Sequence, residues 1–292
     1  MRSRLLVASG VLVASGVAAV ALAIGCASIL SIPDRSLAAS DGSPGVSPDG
    51  ASASLEWCDR PENKHDFCDD FDHADAGAAW LTGDTDGSTV AFTSTSTDSP
   101  PTALDLSTIP EPLGVATVGG LYMPFTQKFA HVRFAVDVRF KSLDLQTEAG
   151  LSSQLGFLLL EQTGFCIGAV LTPSGIGIVM RSKTTDCTGV TNLPAGATTL
   201  TDDAGLTGFA IVAPVPSLNT WSHISLDVKR NSDGSGALAF DINYPGRLPP
   251  PQIPPGYLTE DSPAIAVATS VVGPSGSIEL EFDNVTVDFP AN

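Results

Sequence analysis

Two stretches of the chain crowd together side chains that could do chemistry. "HDFCDDFDHADAGAAW", His65 to Trp80, sets five aspartates and two histidines beside Cys68. "SIELEFDNVTVDF", Ser277 to Phe289, carries Glu279, Glu281 and Asp283 at alternate positions. Carboxylates at such density suit two tasks, general acid–base cleavage of a glycosidic bond and coordination of a hard cation by oxygen. Cleavage needs two carboxyl groups held about 5–10 Å apart across the sugar. In an extended strand neighbouring side chains point to opposite faces, so Asp69 and Asp70 cannot converge as such a pair. A third stretch, "TGDTDGST", has Asp84, Asp86 and Gly87 in the spacing of a calcium loop, but Thr82 and Thr93 stand at the first and twelfth positions, where acids are required. It reads as a turn. No G-x-S-x-G elbow and no H-E-x-x-H helix occurs. His131 and His223 fall on the polar faces of alternating segments, where solvent is the ordinary environment.

The elements that must position these groups are strands. In "HVRFAVDVRF" Val132, Phe134, Val136, Val138 and Phe140 share one face, while Arg133, Asp137 and Arg139 take the other. "WSHISLDVKR" repeats the scheme with Ile224, Leu226 and Val228 inward, and "NSDGSG" turns it into the alternating "ALAFDI". A second hairpin is predicted at "FCIGAVLTPSGIGIVMR", with Pro173, Ser174 and Gly175 in the turn. Apolar runs at 155–160, 208–213 and 264–271 read as strands buried on both sides. In "SIELEFDNVTVDF" the apolar phase slips: Ile278, Leu280 and Phe282 are even, Val285, Val287 and Phe289 odd. A one-residue slip requires a β-bulge or bend at Asp283–Asn284, since otherwise half the apolar set would face water. No helical period is sustained beyond Cys26, so the expected fold is an all-β antiparallel sandwich. Two long loops interrupt it. Ser182–Leu206 holds Cys187, and Tyr244–Pro263 holds "YPGRLPPPQIPPGY", whose six prolines favour extended polyproline conformation.

The chain begins with a basic run, Met1 to Arg4, followed by an uncharged apolar stretch to Gly25, the pattern of an export signal. "LAIGCAS" resembles the lipobox of bacterial lipoproteins, which implies cleavage after Gly25 and lipidation of Cys26. Ala23 departs from the leucine favoured there, and ordinary cleavage near Ala27 or a retained anchor helix are the alternatives. By the sorting habit of such lipoproteins, Ala27 in place of Asp points to the outer membrane or cell surface of a Gram-negative bacterium. Residues 26–56, rich in Ser, Ala, Asp, Gly and Pro, read as a flexible tether. Residues 57–292 then form one sandwich domain of about 235 residues. Export implies an oxidising compartment. Setting Cys26 aside, Cys58, Cys68, Cys166 and Cys187 allow three pairings, and sequence proximity favours Cys58 with Cys68 and Cys166 with Cys187. The formal net charge of -18 becomes -20 when Arg2 and Arg4 leave with the signal, which argues against nucleic acid as a partner.

The opening "FCDDFD" followed by Trp80, the "TWSHISLDVKR…SGALAFDI" hairpin and the closing "FDNVTVDF" together resemble the concanavalin A-like lectin/glucanase superfamily, the laminin-G-like jelly rolls, from about Phe67 to Phe289. The resemblance implies a jelly roll whose terminal strands lie together and whose ligand is a polysaccharide. It also implies a structural Ca²⁺ near those strands, with Asp283 and Asp69 or Asp70 as ligands; the plainer reading leaves these acids in water. The glucanases of the superfamily place their carboxylates as E-x-D-x-E or E-x-D-x-x-E on one strand, and neither spacing occurs. The expected function is therefore non-catalytic binding of carbohydrate or another extracellular ligand by a lipid-anchored envelope protein. Trp57, Trp80 and Trp221 are the candidate sugar platforms, with core packing as their alternative role, and Tyr244, Arg247 and Tyr257 around the proline-rich loop are further candidate ligand contacts, unless that loop is a rigid crossover between sheets. The alternatives are an adhesion protein that holds protein partners and a divergent polysaccharide hydrolase or lyase.

Overall fold

The computed structural model describes residues 56–73, 76–84, 87–94, 98, 102–108, 116–144, 147–148, 151–152, 155–162, 165–172, 175–182, 206–242, 252–272 and 277–291. The signal, Cys26, the tether to residue 55, Cys187, Tyr244 and Arg247 lie outside them. Among the described residues no helix is long and apolar enough to cross a membrane.

Among the described residues sixteen strands follow one another: β1 (Phe67–Asp69), β2 (Leu81–Asp84), β3 (Ser88–Thr93), β4 (Ala103–Thr108), β5 (Ala116–Pro124), β6 (His131–Asp144), β7 (Thr147–Glu148), β8 (Leu151–Ser152), β9 (Leu155–Gln162), β10 (Phe165–Thr172), β11 (Gly175–Ser182), β12 (Leu206–Ala213), β13 (Trp221–Arg230), β14 (Gly236–Ile242), β15 (Ala264–Val272) and β16 (Ser277–Asp288). The first sheet runs β14-β13-β6-β16-β4-β3, with β1 paired to the far part of β16. The second runs β12-β11-β10-β9-β15-β5-β2, and β7 and β8 form a small separate ribbon. The pairings are antiparallel, and one core joins Phe134, Val136, Val138 and Phe140 of the first sheet to Ile167, Ala169 and Leu171 of the second. The architecture is the expected antiparallel β-sandwich, a jelly roll. Each large side chain withdrawn from water in this core contributes about 1.5–3 kcal/mol.

The sequence patterns map directly onto this frame. β13 and β14 form the expected hairpin, closing at Arg230 opposite Gly236, and β10 and β11 form the other, closing at Thr172 opposite Gly175. The phase slip in the last strand is a register shift between Asp283 and Thr286 against β6. Asn284 absorbs it at φ 51°, a left-handed backbone that asparagine tolerates better than bulkier residues. The first described strand pairs with the last, Phe67 opposite Val287 and Asp69 opposite Val285. Cys58 is bonded to Cys68, with their Cα atoms 5.8 Å apart, so the segment ahead of β1 is stapled to that strand. Cys166 is also disulfide-bonded.

Candidate functional site

Because the even residues of β6 enter the core, its odd residues line the outer face of the first sheet, and there charges of both signs meet in pairs. Arg139 meets Glu281, its register partner on β16. Lys141 Nζ lies 2.9 Å from Asp105 Oδ2 and 3.2 Å from Glu281 Oε1, and also contacts Glu279. Burial alone would depress the Lys141 ammonium, but its hydrogen bonds to these carboxylates outweigh that and raise its pKa. His131 and Arg133 share Asp227 at 2.8 and 3.2 Å. His223 Nδ1 lies 2.8 Å from Asp137 Oδ1, while Asn284 Nδ2 donates to Asp137 Oδ2 at 2.8 Å. The bond to Asp137 raises the pKa of the His223 imidazole against the opposing effect of its burial. Tall side chains thus cover this face and neutralise one another across strands, the arrangement of a structural surface.

The acids expected to hold calcium do not share a cage. Asp69 Oδ1 accepts the Phe71 N–H at 2.8 Å, and its Oδ2 accepts Trp80 Nε1–H at 2.7 Å. Asp70, fully buried, accepts the Cys58 N–H at 2.8 Å and the Asp72 N–H at 3.3 Å. Asp283, also fully buried, accepts the Asp98 and Asn284 N–H groups at 3.1 and 2.8 Å. All six carboxylate oxygens therefore face N–H donors of the chain itself, and each acid ties down a different turn. A seven- or eight-oxygen calcium shell built on these three side chains does not fit that arrangement.

The aromatic candidates part company. Trp80 is 5 % exposed, and its indole N–H is held by Asp69, so it is a core residue with no face for a ligand. Trp221 is half-buried on the first sheet, with the Arg139 guanidinium 5.3 Å from its ring centroid. Tyr257 packs against Phe165, ring centroids 5.7 Å apart, and so belongs to the edge of the core.

A site of different character lies on the outer face of the second sheet. There the alternation of β15 sends Ile265 and Val267 into the core and turns Ala264, Ala266 and Ala268 to the other face, where they are only 5, 9 and 8 % exposed, so the strand is buried on both sides as its apolar run predicts. Gly120 of β5 stands opposite Ala268, and Tyr122 opposite Ala266. On the other side of β15, Glu161 of β9 stands opposite Ala264. The outward positions of three adjacent strands thus form a low floor of glycine and alanine, flanked by one phenol and one carboxylate. Burial, and then the Glu161 carboxylate, push the Tyr122 phenol up to about 12. At neutral pH Tyr122 is therefore a protonated hydrogen-bond donor. The signal for this face was present in "GGLYMP" and "AIAVA", where small residues alternate with core residues, but small outward residues carry no chemical label.

No family model matches the chain, and no curated protein matches it in sequence. Solved structures do match in shape. The chain is similar to the endo-β-1,4-glucuronan lyase of the fungus Trichoderma reesei, at 13% identity and a TM-score of 0.52, over 78% of this chain and 96% of that one. It is likewise similar to the marine PL-14 alginate lyase of Aplysia kurodai, at 12% identity and a TM-score of 0.50, over 78% of this chain and 100% of that one. At these identities the likeness establishes the fold, a two-sheet jelly roll spanning nearly the whole of both lyases.

Proposed function

We propose that the protein is an exported, lipid-anchored envelope protein that binds a carbohydrate along the outer face of its second sheet without cleaving it. The observation that carries this reading is the low floor of Gly120, Ala264, Ala266 and Ala268 beside the protonated Tyr122. A sugar ring needs a flat surface and a few fixed hydrogen-bonding groups, and Tyr122 with Glu161 offers a donor and an acceptor across that floor. The likeness in shape to two polysaccharide lyases favours a sugar polymer as the ligand class.

Those same structures make β-elimination the second reading. Such a reaction needs a general base poised near the working pH. Tyr122, pushed up to about 12, is a poor base at neutrality, so a lyase built on this face would need another group as its base. The test is a titration of the exported chain against a panel of neutral, amino and uronate polysaccharides, followed by intrinsic fluorescence and by release of unsaturated ends. Saturable binding that Tyr122→Ala weakens by about tenfold or more supports the proposal. Silence across the panel, or binding indifferent to Tyr122→Ala, overturns it, and unsaturated product establishes the lyase. For the anchor, Cys26→Ser is expected to free the chain from membranes; continued retention would indicate an uncleaved helix instead.

A further inference from the structure

We infer that the Cys58–Cys68 disulfide is a redox-sensitive clasp that sets where the tether ends. Oxidised, it holds residues 57–66 against the sandwich; reduced, it releases them into the tether. This rests on the reading of residues 26–56 as a tether. The bond joins Cys58, ahead of β1, to the middle residue of that strand across a sequence separation of 10. No residue from 57 to 66 is buried, so the segment gains little from apolar burial. Polar ties add to the bond. His65 Nδ1 lies 3.0 Å from Asp288 Oδ2, Asp66 Oδ2 accepts the Phe289 N–H at 2.7 Å, and Asp70 Oδ2 accepts the Cys58 N–H at 2.8 Å. Trp57 stacks on His65, ring centroids 6.2 Å apart, but both rings belong to the segment itself. Partly exposed pairs of this kind hold a segment weakly, which leaves the covalent bond as its main restraint.

The boundary between what lets go and what stays falls at β1. Phe67 packs edge-on against Trp80 and Phe125, ring centroids 5.5 and 5.9 Å away. Asp69 and Asp70 behind it are buried and hydrogen-bonded to the chain that follows. β1 therefore stays on β16 when the clasp opens. Both cysteines are partly exposed, within reach of a dithiol reductant. A thiolate of the reductant attacks one sulfur of the bond, and the other cysteine leaves as a thiolate. The second thiol of the reductant then displaces the first cysteine. The reductant ends as a disulfide and Cys58 and Cys68 as two thiols, with two electrons and two protons transferred. The ten residues 57–66 then join the tether and add a reach of up to about 33–36 Å.

The experiment compares the exported chain in three forms: oxidised, treated with dithiothreitol, and carrying Cys58→Ser, which opens this bond and leaves that of Cys166 in place. Cys58 lies outside the sheets, so the variant is expected to fold. Dithiothreitol is expected to make Cys58 and Cys68 open to alkylation in the folded chain. The N–H groups of Asn63 and Phe289 are bonded to Arg60 and Asp66. Their hydrogen exchange is expected to quicken by about tenfold or more in the reduced chain and in Cys58→Ser, while Leu226 in the middle of β13 keeps its protection. The inference is overturned by unchanged exchange at Asn63 and Phe289, or by a bond that dithiothreitol leaves intact in the folded chain. Loss of protection at Leu226 as well overturns it too, since the bond would then serve the whole sandwich. Cys26→Ser keeps the two readings apart: its retention on membranes would sink the lipid anchor and leave the exchange results standing.

Discussion

At the scale of single residues, Asp69 shows how a carboxylate that invites a functional reading serves the fold. Its two oxygens hold the Phe71 N–H and the Trp80 indole, and burial raises its carboxyl above the usual range even though both hydrogen bonds favour the charged form. Asp69→Ala is expected to destabilise the protein by about 1–3 kcal/mol for each buried donor left without an acceptor. Asp69→Asn, which keeps one acceptor oxygen, is expected to lose less; denaturant unfolding followed by Trp fluorescence separates the two. His223 carries a pH effect of opposite origin. Its pKa in the folded state is raised above 6.5, chiefly by Asp137, with Asp241 and Asp98 adding to it. The resulting stabilisation is complete below 6.5 and fades as the pH climbs through the raised value. Because the side chain is 48 % exposed, the effect is expected to stay below about 1 kcal/mol. His223→Ala should therefore flatten the decline of melting temperature between 6.5 and that raised value. An identical slope in wild type and variant would remove His223 from the account.

At the scale of elements, strand phase was legible because each β-strand must bury one face, and Val132 to Phe140, the two hairpins and the slip at Asp283–Asn284 all follow from that constraint. The Cys58–Cys68 bond was legible from the short spacing of the two cysteines. Less could be read of what lies on each outer face. Alternation says that Tyr122 and Asp137 point away from the core, but it does not say that one stands over alanines and the other inside a lattice of ion pairs. The meeting of Glu56 with His73 was hidden for another reason: Glu56 fell at the end of the expected tether, and only the stapled turn brings it back against β1. The close approach of β5 and β15 gives this scale its prediction. A Cβ added at Gly120 would lie 2.6 Å from the Ala268 Cα and the Val267 carbonyl oxygen, contacts with backbone that no rotamer change relieves. Gly120→Ala is expected to force β5 and β15 apart at a cost of about 1–3 kcal/mol. The measurement is a denaturant midpoint, and an unshifted midpoint would mean that the two strands approach less closely.

At the scale of the whole molecule, charge decides between ligands that the fold alone leaves equivalent. The two lyases of similar shape act on glucuronan and alginate, polymers with a carboxylate on their sugars. This chain carries a formal net charge of -18, with 32 acidic against 14 basic residues. Glu161 stands beside the floor and acts on Tyr122 as a negative neighbour. Long-range repulsion of a polyanion is therefore built in, and it weakens as salt shortens the screening length to about 8 Å at physiological ionic strength. A neutral or amino-sugar polymer meets no such barrier. We expect neutral-glycan affinity to be nearly independent of salt and amino-sugar affinity to fall as salt rises. Any polyuronate binding should strengthen over the same range. Titrations at low and at high ionic strength measure all three slopes. Polyuronate binding that is tight at low salt and weakens with added salt would require a cationic site and would overturn this expectation.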